Sequence, residues 1–165
     1  MPAGKKISRI GIGYDIHRLR KGRRLVLGGV TIPHPRGLDG HSDADVICHA
    51  VADSLLGAAG LGDIGLHFPD TDRRYRGVSS LKLLSEVAGL LKKKKASIIN
   101  IDAVLIAEKP KVAPYASPMR KNIGRALGIP PGRVSVKATT NEGLGPVGRS
   151  QGMAALAVSL VETKE

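Results

Sequence analysis

At 165 residues the chain has the length of one domain and enough material for its own hydrophobic core. A formal net charge of +12 raises nucleic acid as a partner, but one phenylalanine, three tyrosines and no tryptophan leave few rings for stacking bases, and no zinc-finger, helix-turn-helix or RNP-like pattern is present. The lone Cys48 excludes an internal disulfide framework, and neither a signal-peptide core nor a run of the roughly 20 apolar residues that cross a bilayer occurs, so the expected setting is cytoplasmic.

Ile7 to Tyr14 alternates apolar with small or polar residues and predicts a strand running on into Asp15-Ile16-His17. Extended backbone puts Asp15 and His17 on one face, where a carboxylate and an imidazole can grip one ion. Arg24 to Pro33 predicts a hairpin turning at Gly28-Gly29, and His34 to Gly40 a loop. From Gly40 to Asp72 three of the five histidines (His41, His49, His67) and six aspartates are packed between short apolar patches. Ser42 with Asp45 reads as a capping box, which predicts a helix from just after Ser42 to near Gly57. Asp45, His49 and Asp53 then stack on one stripe, with Val46, Ile47, Ala50, Val51, Ser54 and Leu55 on the other side. Cys48, within this helix, reads as a small buried hydrophobe. The loop after it, through Gly62, Asp63, Ile64 and Gly65, can bring backbone amides close to a ligand.

Phe68 to Gly77 is polar and turn-rich. Ser79 or Ser80 then caps a second helix with Leu81, Leu84, Val87, Ala88 and Leu91 inward. Lys92 to Lys95 closes it with the sign its dipole favours, and reads as a solvated helix end. Ser97 to Ala107 is a β-branched strand broken by Glu108-Lys-Pro-Lys111. A third helix is expected over about Pro114 to Leu127, with Met119, Ile123, Ala126 and Leu127 inward and Pro118 complicating its first turns. Arg133 to Ala138 is another strand, and the valines of Met153 to Val161 favour a last one. Helices alternating with strands predict an α/β fold (an α+β sandwich): a mixed sheet against about three helices, residues 1–165 forming a single domain.

Two clusters could carry chemistry. Asp15, His17 and His49 offer one carboxylate and two imidazoles, a set that suits Zn²⁺ and leaves a fourth tetrahedral position for substrate; the alternative is a surface aspartate and two satisfied histidines. His41 and Ser42 stand near a helix start, where anions are favoured. The second cluster, Lys137-Ala-Thr-Thr-Asn-Glu142, reads either as an ordinary strand-to-loop transition or as hydroxyls for phosphoryl oxygens with a carboxylate for Mg²⁺. Lys109 and Lys111 are open to the same two readings. The basic excess suits a small phosphorylated substrate as well as it suits nucleic acid.

These blocks together carry a resemblance. Arg9-Ile-Gly-Ile-Gly-Tyr-Asp-Ile-His17, the whole of His41 to Asp72, Ile106-Ala-Glu-Lys-Pro-Lys111, Val136-Lys-Ala-Thr-Thr-Asn-Glu142 and Gly148-Arg149 with Gly152 resemble the 2-C-methyl-D-erythritol 2,4-cyclodiphosphate synthase family, from Arg9 to Leu160. The resemblance implies closure of 4-diphosphocytidyl-2-C-methyl-D-erythritol 2-phosphate into a cyclic diphosphate with release of CMP, in non-mevalonate isoprenoid synthesis. It implies Asp15, His17 and His49 as zinc ligands, Glu142 as a holder of Mg²⁺ or Mn²⁺ on the diphosphate, and His41 and Thr140 as transition-state stabilisers. His41, Ser42, Asp63, Ile64 and Gly65 would contact the erythritol unit. Phe68, Pro69, Asp70, Thr71 and Asp72 would lie at the substrate mouth. Ala107, Glu108, Lys109, Pro110, Lys111, Val112 and Ala113, with Ala138, Thr139, Thr140 and Asn141, would cradle the cytidine and its phosphates. Asp45 and Asp53 would be structural or would steady a liganding imidazole. The family assembles as a homotrimer with active sites between subunits and a central cavity. Arg149 matches a basic residue at that cavity, where some members hold an isoprenoid diphosphate. Pro146 and Gln151 depart there from a common aromatic and a common acid.

Overall fold

The alternation read in the first strand decides which side of the sheet meets the helices. The computed structural model describes residues 5–164. Strand β1 runs Lys6–Lys21. One of its faces carries Gly11, Gly13, Asp15, His17 and Leu19; the other carries Ile10, Ile12, Tyr14 and Ile16, all exposed. A hairpin of β2 (Leu25–Leu27) and β3 (Val30–Ile32) follows, with Gly28 and Gly29 at positive φ in the turn. The segment expected as a loop contains β4 (Arg36–Leu38), a strand of three residues made by pairing with the end of β1 rather than by its own propensity.

Helix α1 covers Val46–Ala58, and its start corrects the capping-box expectation. Ala44 sits at φ 57, outside any right-handed helix, so the helix cannot begin after Ser42. Asp45 is the N-cap instead, its carboxylate accepting from the Cys48 amide at 3.1 Å. A single turn, α2 (Ile64–His67), capped by Asp63, occupies what read as open loop. Helix α3 spans Ser80–Lys93 and α4 spans Ala116–Leu127, with Met119, Ile123 and Leu127 buried. Pro118 is accommodated in the first turn of α4, where its missing N–H costs no hydrogen bond. Gly128, at φ 68, ends that helix.

Strand β5 is Ser97–Ile106 and β6 is Val134–Thr139, parallel to each other through the α4 crossover. After the single turn α5 (Gly145–Gly148) comes β7, Gly152–Lys164, confirming the last apolar run as a strand. The mixed sheet has the order β4-β1-β7-β5-β6. Its helix-facing side buries Ile101, Ala103, Leu105, Met153, Ala155, Ala157 and Val161, chiefly under α1, with α4 over β6 and α3 packed on both helices. Among the described residues no helix is long and apolar enough to cross a membrane.

Candidate functional site

Two glycines bring the site together. A Cβ on Gly11 would lie 1.9 Å from the Ser54 carbonyl oxygen, and one on Gly13 would lie 1.9 Å from that of Ala50. Only bare backbone lets α1 lie this close to β1. The next two residues of the same alternation, Asp15 and His17, therefore meet His49 from the facing helix. Asp15 Oδ2 is 2.8 Å from His17 Nε2 and 2.9 Å from His49 Nδ1, and the two nitrogens are 3.2 Å apart.

The far side of each ring fixes which nitrogen carries its proton. His17 Nδ1 is 2.8 Å from the carbonyl oxygen of Asp39, an acceptor only, so that nitrogen is an N–H, and Nε2 is free to give a proton to Asp15 when no cation is bound and a lone pair to a cation that is. His49 Nε2 is 2.9 Å from Ser80 Oγ and 3.1 Å from Ser42 Oγ. Three atoms able to donate electron pairs thus converge, close to the separation of about 3.3 Å that neighbouring ligands have around a tetrahedral zinc. The three residues are the one group among the described residues whose donor atoms cluster in this way. Burial pushes the Asp15 carboxyl up, but hydrogen bonds from His17 and His49 outweigh it and hold the group well below the usual carboxylate range. Burial lowers His17, and the Asp15 carboxylate more than reverses this, so its net shift is upward. The donor set and its spacing fit a divalent cation.

Beside the triad is a cavity of about 290 Å³, lined by His17, His41, Ser42, His49, Ile64, Phe68 and Asp70, with Tyr75 and Leu83 as further walls. Here the structure gathers many of the residues expected at the erythritol unit and the mouth. His41 donates from Nε2 to the Asp72 carbonyl at 3.1 Å, tying the end of the mouth segment to the stretch that leads into α1. Gly77 N donates to the His41 carbonyl at 2.8 Å from the other end. Asp63 spends one carboxylate oxygen on the Leu66 amide, and Gly65 lies in the turn it caps. Asp72 is held below its ordinary value by hydrogen bonds from Arg74.

A second cavity, about 460 Å³, is lined by Ala107, Glu108, Pro110, Lys111, Val112, Ala113, Ala138, Thr139 and Thr140. Val136, Lys137 and Ala116 complete it, and Lys109 precedes its Pro110 wall. The Asn141 amide donates to Glu108 at 2.8 Å, closing the rim, and Glu142 accepts from Thr140 Oγ1 at 3.1 Å. Arg149, after α5, lines neither cavity. In register, Asp15 pairs with Ala155, Ala155 with Leu105 and Leu105 with Ala138. The triad and the second cavity are therefore three strand spacings apart, roughly 14 Å, at one end of the sheet.

The carboxylates of Asp45 and Asp53 go to backbone amides and not to the His49 imidazole. Asp45 is fully buried and accepts from the amides of Gly28 and Gly29 at 2.9 and 2.7 Å, which fastens the hairpin to the helix start; burial nonetheless pushes its carboxyl up. Asp53 accepts from the Ile64 amide at 2.8 Å. The residues that do reach the imidazole from behind, Ser80 and through it Asp43, were not among the expected site residues. The sequence offers Ser80 only as a candidate cap, 31 positions from His49.

The sequence model of the YgbB family matches residues 8–162. The chain belongs to that family. A relative from Syntrophomonas wolfei, named 2-C-methyl-D-erythritol 2,4-cyclodiphosphate synthase, is 59% identical over 154 residues, covering 93% of this chain and 98% of that protein. Among solved structures, the bifunctional IspDF from Campylobacter jejuni aligns with TM-score 0.94 at 38% identity, covering 99% of this chain; the chain spans 44% of that longer one. The Plasmodium falciparum IspF in complex with CDP aligns with TM-score 0.83 at 37% identity, over 96% of this chain and 97% of that one.

Proposed function

We propose that this YgbB-family protein cyclises 4-diphosphocytidyl-2-C-methyl-D-erythritol 2-phosphate to 2-C-methyl-D-erythritol 2,4-cyclodiphosphate, releasing CMP, in isoprenoid biosynthesis. The observation that carries the reading is the convergence of Asp15, His17 and His49 at the mouth formed by His41, Ser42 and Phe68. Full-length relatives bearing the synthase name support it. An oxygen of the substrate's 2-phosphate forms a bond to the β-phosphorus. The bond from that phosphorus to the oxygen bridging to the cytidylyl phosphate breaks, and the electron pair leaves with CMP. No protein nucleophile is needed; the chain's work is to fold the substrate back on itself and hold it there.

Asp15, His17 and His49 would hold Zn²⁺, and Glu142 would help hold Mg²⁺ or Mn²⁺. When bound, these ions supply Lewis-acid neutralisation of phosphate charge. His41, Ser42 and the Asp63–Gly65 turn orient the erythritol unit, Thr140 donates to a phosphoryl oxygen as charge builds there, and the larger cavity takes the cytidine. That a relative was solved with CDP supports the nucleotide assignment.

The assembly we propose is a homotrimer of single-domain subunits. Two observations support it. Ile10, Ile12, Tyr14 and Ile16 leave the sheet's other face apolar and bare, with Ile10 74% and Ile12 67% exposed. The triad and the nucleotide cavity also stand roughly 14 Å apart on one chain, and a neighbouring copy would bring one chain's triad beside another's cavity. Arg149 would face the central cavity, with Pro146 and Gln151 altering what that cavity holds.

The test is turnover of the cytidyl substrate by chelator-stripped and zinc-restored protein, followed by ³¹P NMR. Cyclic diphosphate and CMP are expected only after restoration, and His49→Ala should lower the rate at least about 100-fold. Orthophosphate with a linear product would replace the synthase reading by a hydrolase.

A further inference from the structure

We infer that Ser80 and Asp43 are positioning residues for the metal, acting as a relay that fixes the tautomer of His49. The argument turns on one hydroxyl proton. Ser80 Oγ touches both a carboxylate oxygen of Asp43 and Nε2 of His49. An ionised carboxylate can only accept, so the Ser80 proton goes to Asp43 and the remaining Ser80 lone pair accepts from His49. Nε2 must then be an N–H, and Nδ1, 2.9 Å from Asp15, is the atom that faces the carboxylate while no cation is bound and offers its lone pair to one that is.

Asp43 is itself immobilised. Its Oδ2 accepts from the Ser80 amide at 3.0 Å, its Oδ1 accepts from the Asp45 amide at 3.2 Å, and its own amide donates to the Val78 carbonyl at 3.0 Å. The relay therefore joins the beginnings of α1 and α3 to one ring nitrogen. Ser42, at 3.1 Å, does not decide the tautomer, because no carboxylate claims its proton and its hydroxyl can point either way. The equivalent partner of His17 is a backbone carbonyl, which no substitution removes. Of the two imidazoles, His49 is the one whose orientation hangs on replaceable side chains.

A helix cap without any influence on the metal is the competing role, and the two separate cleanly. Ser80→Ala deletes the hydroxyl but keeps the amide that Asp43 caps. The inference rests on the metal reading of the triad, so Zn²⁺ affinity is measured first on the unaltered protein, by competition with a chromophoric chelator. Failure of the unaltered protein to bind overturns both readings. If it binds, Ser80→Ala is expected to weaken affinity by about 10-fold or more, with Ser80→Thr restoring most of it. Asp43→Asn should add little in the double variant, since both changes cut the same chain. Ring ¹⁵N shifts of His49 in the metal-free protein should report a protonated Nε2, and Ser80→Ala should diminish that signature. Zinc affinity within twofold of the unaltered protein and an unchanged signature would overturn the relay alone. So would an affinity loss that tracks an equal loss of metal-free stability and that threonine fails to rescue.

Discussion

Asp15 and His17 answer to each other in a way that pH can read. The His17 imidazole, raised by its carboxylate neighbour, adds stability to the metal-free protein that is fully present below its ordinary value of 6.5 and disappears as pH climbs through the shifted one. Asp15, lowered, adds stability above its ordinary value of 3.8 that is lost only as pH drops through the shifted one. Chelator-stripped protein should therefore lose thermal stability as pH climbs above about 6.5, whereas the stabilisation conferred by added zinc should grow over that range because the ligands must shed protons to bind. Parallel melting curves across that range, with and without zinc, check this. A stripped protein whose Tm does not fall would mean that the pair is not protonated together. That Asp15 and His17 share a face was legible from sequence because D-x-H on a strand has one geometric consequence, and the resemblance singled out His49 as their partner. Asp43 and Ser80 were not, because a hydroxyl reaches a ring 31 residues away only once α3 has been laid beside α1.

At the level of elements, the glycines of β1 matter as much as the ligands. Gly13→Ala forces a methyl against the Ala50 carbonyl, so α1 must retreat and carry His49 with it. The expected cost is about 1–3 kcal/mol in denaturant unfolding, together with weaker zinc binding. Gly89→Ala, in α3, meets nothing within 4 Å and should instead add about 0.5–1 kcal/mol with zinc binding unchanged. Equal effects at the two positions would refute the close-packing argument. The long helices and strands could be read from periodicity because burial imposes it. The start of α1 misled because a serine and an aspartate three apart imitate a capping box, while Ala44 in a left-handed conformation shifts the cap to Asp45. β4 escaped because three residues carry no period, and its partner supplies the reason for it to be extended.

For the whole molecule, the sheet face bearing Ile10, Ile12, Tyr14 and Ile16 is where copies should meet. Ile12→Lys, a charge in the middle of that face, should cost on the order of 2 kcal/mol or more per contact. Sedimentation should then show single chains that still bind zinc but turn over substrate at least about 10-fold more slowly, because each triad has lost its neighbour's cavity. A variant that stays assembled and fully active would place the contact elsewhere. That greasy surface also has a consequence for the cell. In the assembly proposed above, each chain would present a sticky flank to everything around it until its neighbours cover it. At low expression the yield of working enzyme should accordingly climb more steeply than gene dosage, with unmatched copies lost to proteolysis or clumping.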